Sequence, residues 1–313
     1  MRAIVLPSAE ANPVHTDFPA PDPLPDRAPL SLVGAGLHQV VRALATGRHY
    51  GSANTYPLVP GVDAVARTSD GTLVYTGWPQ APWGTMAETL CTPFDMELPP
   101  GADPLAVAAG MNPGMSGWLP LAQHRHERET LGTVLILGAT GVAGRMAANA
   151  AEILGADRVI GAGRDAPTLA ALAASGVDIA DLADDSALER TIAESAPDLV
   201  LDYVWGPVAE RTFTALARTG LHEDAADISY VQIGALAGAH ASVPAALLRS
   251  RRIRISGSGA GSVTNDTLSA EIPRLMAHIA DGTLTVPYVA YPFDRIYEAW
   301  THTGRSRAVL VPR

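Results

Sequence analysis

The stretch VLILGATGVAGRMAANAAEILGA, residues 134–156, decides how this chain folds. It opens as an unbroken apolar run, Val134 to Leu137, the composition of a strand buried on both faces. The run passes straight into Gly138-Ala139-Thr140-Gly141-Val142-Ala143-Gly144, and small residues then predict a helix over 142–154. Strand, small-residue turn and helix in this order build the turn that receives a dinucleotide pyrophosphate. The middle glycine lets backbone approach the phosphates, and the last lets the helix pack close against the strand. The helix start adds free N–H groups and the positive end of its dipole. The expected contacts are Ala139, Thr140, Gly141, Val142, Ala143 and Gly144, with alanine standing at the first glycine position.

Downstream, apolar strands alternate with Ala-rich helices: RVIGAG, a helix over 166–175, VDIA, a helix near 186–195, DLVLDYV, a helix over 207–219, ISYVQIG and IRISGSG. That spacing predicts an α/β, doubly wound parallel sheet. After Thr264 come a helix to about Ala280, a strand TVPYVAY, a helix FDRIYEAW and a strand RAVLVP. Upstream, the first ~120 residues are rich in Pro and Gly, and Pro19 to Pro29 cannot be helical throughout. LVPGVDAVART, DGTLVYTG and PWGTMAETLC read as strands of a small antiparallel, barrel-like domain.

The end of the second strand selects the nucleotide. An NAD site places an acid there for the ribose hydroxyls. Here the strand ends at Gly163, followed by Arg164 and Asp165. Glycine at the acid position and arginine next to it suit a 2′-phosphate, which guanidinium binds through charge-assisted hydrogen bonds. The expectation is NADPH in preference to NADH; the alternative, Asp165 as the ribose acid, requires the strand to end later. Arg145, at the helix start, either adds to the phosphate field or, the favoured reading, is a solvated helix residue.

Composition removes other chemistries. The chain has 313 residues and a formal net charge of −10, and all 22 Lys+Arg residues are arginine. Without lysine there is no side-chain Schiff base and no Walker A phosphate clamp. Acidity without basic clusters disfavours nucleic acid and anionic membrane as partners. The one cysteine, Cys91, allows no intramolecular disulfide and no multi-cysteine metal site, which fits a reducing, cytoplasmic setting. Met1 to Pro7 is too short for a secretory h-region, and no run reaches membrane length. His124 and His126 in HRHERE lack the HExxH pattern and read as a solvated polar segment between domains. SGSGAG lacks the nucleophile elbow of a hydrolase.

The order of segments resembles the medium-chain dehydrogenase/reductases, in their quinone oxidoreductase-like branch. PGVDAVAR, PWGTMAE, MNPGMSGWLPL, the glycine turn, YVQIGALAG and LRSRRIRISGSG fall in that order over nearly the whole chain. Short-chain dehydrogenases share GATGxxG, but near the N-terminus and mostly with a Tyr-x-x-x-Lys pair that a lysine-free chain cannot build. The resemblance implies a GroES-like antiparallel β-barrel-type domain, residues 1–115 with 263–313, and a Rossmann domain, residues 116–262. It implies a nicotinamide cleft between them and a homodimer formed at the RIRISG edge. Positions matching the family's zinc ligands are His38, Val62 and Asn112. Valine cannot ligate and Asn112 lacks the thiolate or imidazole that zinc prefers, so no metal is expected.

Without zinc to polarise an alcohol, hydride transfer to a small apolar electrophile remains: a quinone, or an activated alkene or enone. His49 or Tyr50 is the candidate proton donor, although the favoured reading of Tyr50 is a ring packed against cofactor or substrate that transfers nothing. His38, Tyr50, Trp78, Trp83 and Trp118 are the candidate pocket residues. Asn112, Ser116, Gly234, Ala235, Ser256, Gly257 and Ser258 are expected toward the nicotinamide end, Gly163 and Arg164 toward the adenosine. Tyr203 and Trp205 border the adenosine or pack in the core. Two further readings stand beside this one: a non-catalytic NADPH-binding redox sensor or structural protein, and a trans-acting enoyl reductase.

Overall fold

Short apolar runs cut by Pro and Gly make the first strands. The computed structural model describes residues 1–218 and 225–312, and the chain divides into two units, Met1–Pro113 with Ile272–Arg313, and Gly114–Glu271. The first unit begins with the hairpin β1 (Arg2–Val5) and β2 (Val14–Asp17), followed by β3 (Leu30–Leu37) and α1 (Gln39–Ala45). Then come β4 (Asp63–Arg67), β5 (Leu73–Gly77), β6 (Thr89–Leu90) and β7 (Asp95–Glu97). Of the expected strand PWGTMAETLC only Thr89–Leu90 pairs as a strand, with one isolated bridge at Ala87. Pro82 has no N–H to donate, and that segment instead buries Met86 and Ala87 in the core.

Helix α2 (Pro104–Glu127) carries the chain from the first unit into the second. HRHERE is therefore not a connector between domains, because His124 to Glu127 form the last turn of this helix. His124 is buried, and burial pushes its imidazole pKa down. Apolar residues occupy most sides of α2, and Val107, Ala108, Met111, Met115, Trp118 and Leu121 are all buried. Among the described residues no helix is long and apolar enough to cross a membrane.

The second unit alternates β8 (Thr133–Leu137), α3 (Val142–Ile153), β9 (Arg158–Gly163), α4 (Ala166–Ala174), β10 (Asp178–Asp181) and α5 (Ala187–Ser195). It continues with β11 (Leu199–Asp202), α6 (Gly206–Leu216), β12 (Ile228–Gln232), α7 (Ala245–Ser250) and β13 (Ile253–Gly257). Among the described residues the strand order is β10-β9-β8-β11-β12-β13 and every pair is parallel. This is the doubly wound Rossmann arrangement. Order reverses at β8, so ligands are received outside the carboxyl ends of the strands beside it. The core joins Leu135, Leu137, Ile160, Val200, Phe213 and Tyr230. Helix α6 stops at Leu216, and the last residue of the helix expected over 207–219 lies outside the described residues.

The chain returns through α8 (Asn265–Ala280), then β14 (Tyr288–Pro292), α9 (Ile296–Trp300) and β15 (Arg307–Val311). These strands extend the first unit's sheet, in the order β14-β15-β3-β4-β5-β7 with β6 beside β3. All its pairs are antiparallel except β14 with β15. Leu32, Leu37, Ala66, Val74, Met86, Phe293 and Leu310 fill its core.

Candidate functional site

The glycine turn sits at the carboxyl end of β8. Gly138 takes φ +92°, a conformation that a side chain would strain, and the N–H groups of Gly138 and Ala139 both reach the Ala162 carbonyl, 2.9 Å away. Gly141 is the N-cap of α3 and has no side chain to satisfy the first turn. The N–H groups of Val142, Ala143 and Gly144 therefore lie without intrahelical partners at the positive end of a 12-residue helix. A Cβ on Gly144 would lie 2.3 Å from the Gly138 carbonyl oxygen and 2.7 Å from Ala139 Cα. Helix and turn thus touch backbone to backbone, and this contact aims the free N–H groups. A dinucleotide pyrophosphate fits that cradle.

At the end of β9, Gly163 is buried and Arg164 exposed. No hydrogen bond or ion pair engages the Arg164 guanidinium among the described residues. Asp165 is the N-cap of α4: its carboxylate accepts from the Thr168 N–H at 3.2 Å and from the Thr168 hydroxyl. Arg145, half-buried in the first turn of α3, is not the fully solvated residue expected.

A group that residue patterns did not single out organises the neighbouring strand ends. Asp202 closes β11 fully buried, and Oδ1 accepts from the N–H groups of Val204 (2.7 Å) and Trp205 (2.9 Å). Oδ2 accepts from the Tyr230 hydroxyl at 2.6 Å. The Asp202 carbonyl also accepts from the N–H groups of Ile233 (2.7 Å) and Gly234 (3.0 Å). Burial raises the pKa of Asp202 and of Tyr230, which the adjacent carboxylate raises further. One side chain and its own carbonyl thus hold two turns, including Trp205 at the strained φ of +58°. The only sequence signal was an acid ending the apolar run LVLD.

Gly234 and Ala235 follow β12, where Ala235 is exposed. Ser256 and Gly257 end β13 exposed, and the Ser258 N–H donates to the Gln232 carbonyl at 2.9 Å. The Ser116 hydroxyl lies 3.2 Å from the Tyr203 hydroxyl, which is buried and pushed up in pKa by that burial. Trp118 is fully enclosed and donates its indole N–H to Glu271 Oε2 at 2.7 Å, so it is a packing residue and presents no face to a substrate.

The first unit holds the other candidates. Tyr50 is 79% exposed, and its ring stacks on His49 at 4.1 Å between centroids. His49 Nδ1 accepts from the Gly51 N–H at 3.1 Å, which leaves the proton of the neutral ring on Nε2. Partial burial lowers its pKa. Trp78 adopts φ +51°, donates its N–H to the Val62 carbonyl at 2.7 Å and packs against Phe94 with centroids 5.3 Å apart. Trp83 anchors the proline-rich connector through an indole N–H to the Pro19 carbonyl, 3.0 Å. His38 is enclosed with Nε2 3.2 Å from Asp63 Oδ1, while Asp63 Oδ2 accepts from the Tyr75 hydroxyl at 2.9 Å. Burial lowers the His38 pKa against the opposing pull of Asp63. Asn112 is half-buried in α2. Among the described residues no three His, Cys, Asp or Glu side chains gather as a metal site would need.

No protein-family model matches the chain. Among curated proteins, the "Probable NADPH-dependent quinone reductase tdiC" of Emericella nidulans is 28% identical, the alignment covering 100% of both chains. The solved quinone oxidoreductase of Thermus thermophilus, a structure that includes its complex with NADPH, superposes with a TM-score of 0.81. The two are 23% identical, over 99% of this chain and 100% of that one. The quinone oxidoreductase of Pseudomonas syringae pv. Tomato superposes equally well, TM-score 0.81 at 19% identity over 100% of both chains. Both units, the antiparallel sheet and the doubly wound parallel sheet, are shared with those solved quinone oxidoreductases. The chain is similar over its whole length to these quinone reductases and shares their fold.

Proposed function

We propose that this chain is an NADPH-dependent, zinc-independent reductase of a small apolar quinone or an activated alkene or enone. The observation that carries the reading is the contrast at the end of β9. Asp165 spends its carboxylate on the cap of α4, whereas the adjacent Arg164 is exposed and unengaged among the described residues. A ribose diol is read by a carboxylate and a 2′-phosphate by a cation, so the free group is the one NADPH requires. The named activity of the Emericella relative, quinone reduction with NADPH, supports the same choice.

When bound, the cofactor supplies a hydride. The chain's own residues hold it: N–H groups of Val142, Ala143 and Gly144 for the pyrophosphate, Arg164 for the 2′-phosphate, and the strand ends at Ala235, Ser256 and Gly257 for the far end. We assign the proton taken up by the product to the His49–Tyr50 pair, whose rings lie together with the Tyr50 side chain exposed. Donor chemistry supports zinc independence: Val62 has no donor atom, and the His38 ring is turned to Asp63. We further infer a cytoplasmic homodimer; the single cysteine and the open edge of β13 support it.

Arg164→Ala tests the cofactor assignment. Losing one charged contact of roughly 1.5–3 kcal/mol should weaken NADPH about 10- to 150-fold in a fluorescence titration. NADH affinity should barely change. Equal losses for both cofactors would contradict the assignment.

A further inference from the structure

The turn after β8 and the end of β9 are packed in a way that bears on cofactor choice. A Cβ built on Gly163 would lie 2.4 Å from Thr140 Cγ2, 2.8 Å from Thr140 Oγ1 and 3.1 Å from Thr140 Cβ. Carbon atoms in contact normally stand about 3.5–4.0 Å apart. Thr140 therefore fills the space through which any side chain at position 163 would leave the strand.

Rotating Thr140 does not clear that space. Threonine places heavy atoms in two of the three staggered positions on Cβ, and here both face Gly163. Any other staggered rotamer moves the lone hydrogen into one of those positions and keeps a heavy atom in the other. The obstruction is therefore built into the residue type. A serine, with one heavy atom, could turn away.

We propose that Thr140 is a determinant of dinucleotide preference. It bars from position 163 the acid that would grip an unphosphorylated ribose. It also leaves an uncharged hydroxyl over the residue preceding Arg164, where a 2′-phosphorylated adenosine would be held. That hydroxyl is half-buried and has no hydrogen-bond partner among the described residues. The proposal rests on the dinucleotide reading above and adds to it the residue that excludes the competing cofactor.

The test uses the full chain with Gly163→Asp, Thr140→Ala and the two combined, titrated with NADPH and with NADH. Gly163→Asp alone should bind both cofactors at least tenfold more weakly than the unmodified chain, because the intruding side chain displaces the turn. Adding Thr140→Ala should then tighten NADH at least tenfold and make it the preferred cofactor. NADH binding as tight in Gly163→Asp as in the combined variant would overturn the proposal. Gly163→Ala, melted with and without Thr140→Ala, reads the same clash without any cofactor and guards against a misfolded acid variant. It should lower the melting temperature more while Thr140 is present, since alanine keeps only the 3.1 Å Cβ contact, and an equal drop in both backgrounds would overturn the proposal. An unmodified chain that binds neither cofactor would contradict the dinucleotide reading itself, and the melting comparison would still judge the Thr140–Gly163 clash.

Discussion

Arg164 and Asp165 are neighbours with opposite chemistry, and the start of a helix decides which of them can meet a ligand. From the sequence both were candidates for the adenosine end, because a strand end cannot be located to one residue from composition. The cap of α4 separates them, since the Asp165 carboxylate turns onto Thr168 while Arg164 is exposed and has no ion pair or hydrogen bond among the described residues. Other pairings were not legible at all. Tyr230 meets Asp202 across 28 residues of chain and Tyr75 meets Asp63 across 12, distances over which residue patterns say nothing about contact. The enclosed His38, facing Asp63 and under the repulsion of Arg307 and Arg42, gives a prediction at this scale. Its pKa is lowered on folding, so the unfolded chain binds the proton more readily. The stability that follows is present above the unfolded value near 6.5 and is lost as pH falls below it. Buried His124 shifts the same way and adds to the effect. Melting temperature should fall between about pH 7.5 and about pH 5.5, and His38→Gln should flatten part of that slope. A slope unchanged by the substitution would contradict the account.

Among the elements, α3 matters most, because its first turn is the proposed phosphate cradle. Its seat on β8 depends on Gly144 meeting the backbone of Gly138 and Ala139, atoms that cannot move aside. Gly144→Ala should cost about 1–3 kcal/mol in urea unfolding, the range of an overpacked core. It should also weaken NADPH at least tenfold by tilting the N–H groups off the pyrophosphate. Unchanged stability and binding would contradict the close contact. This helix was legible because a buried strand, a small-residue turn and a run of small residues all agree on one structure. The strands of the first unit were legible only in part: β4 and β5 lie within the expected runs, whereas PWGTMAETLC keeps two residues of strand. Helix α2 was hidden at its end. Buried residues surround it and Pro113 and Pro120 lie inside it, so the polar HRHE turn stood out as if it were a separate segment.

For the whole molecule, the alternation of strands and helices after residue 130 was enough to foresee the doubly wound sheet, because parallel strands need crossovers of that length. The order of segments carried the resemblance to quinone oxidoreductases, whose fold the chain shares. The electrophile of the proposed reductase would be chosen by side chains far apart in the sequence, and no local pattern encodes such a meeting. The direct test of the central claim is stopped-flow absorbance of NADPH mixed with the purified chain and a panel of small quinones and enones. The account predicts protein-dependent loss of NADPH absorbance with at least one quinone or enone, and a much slower loss with NADH. Inertness of NADPH across the whole panel, or faster turnover with NADH, would contradict it.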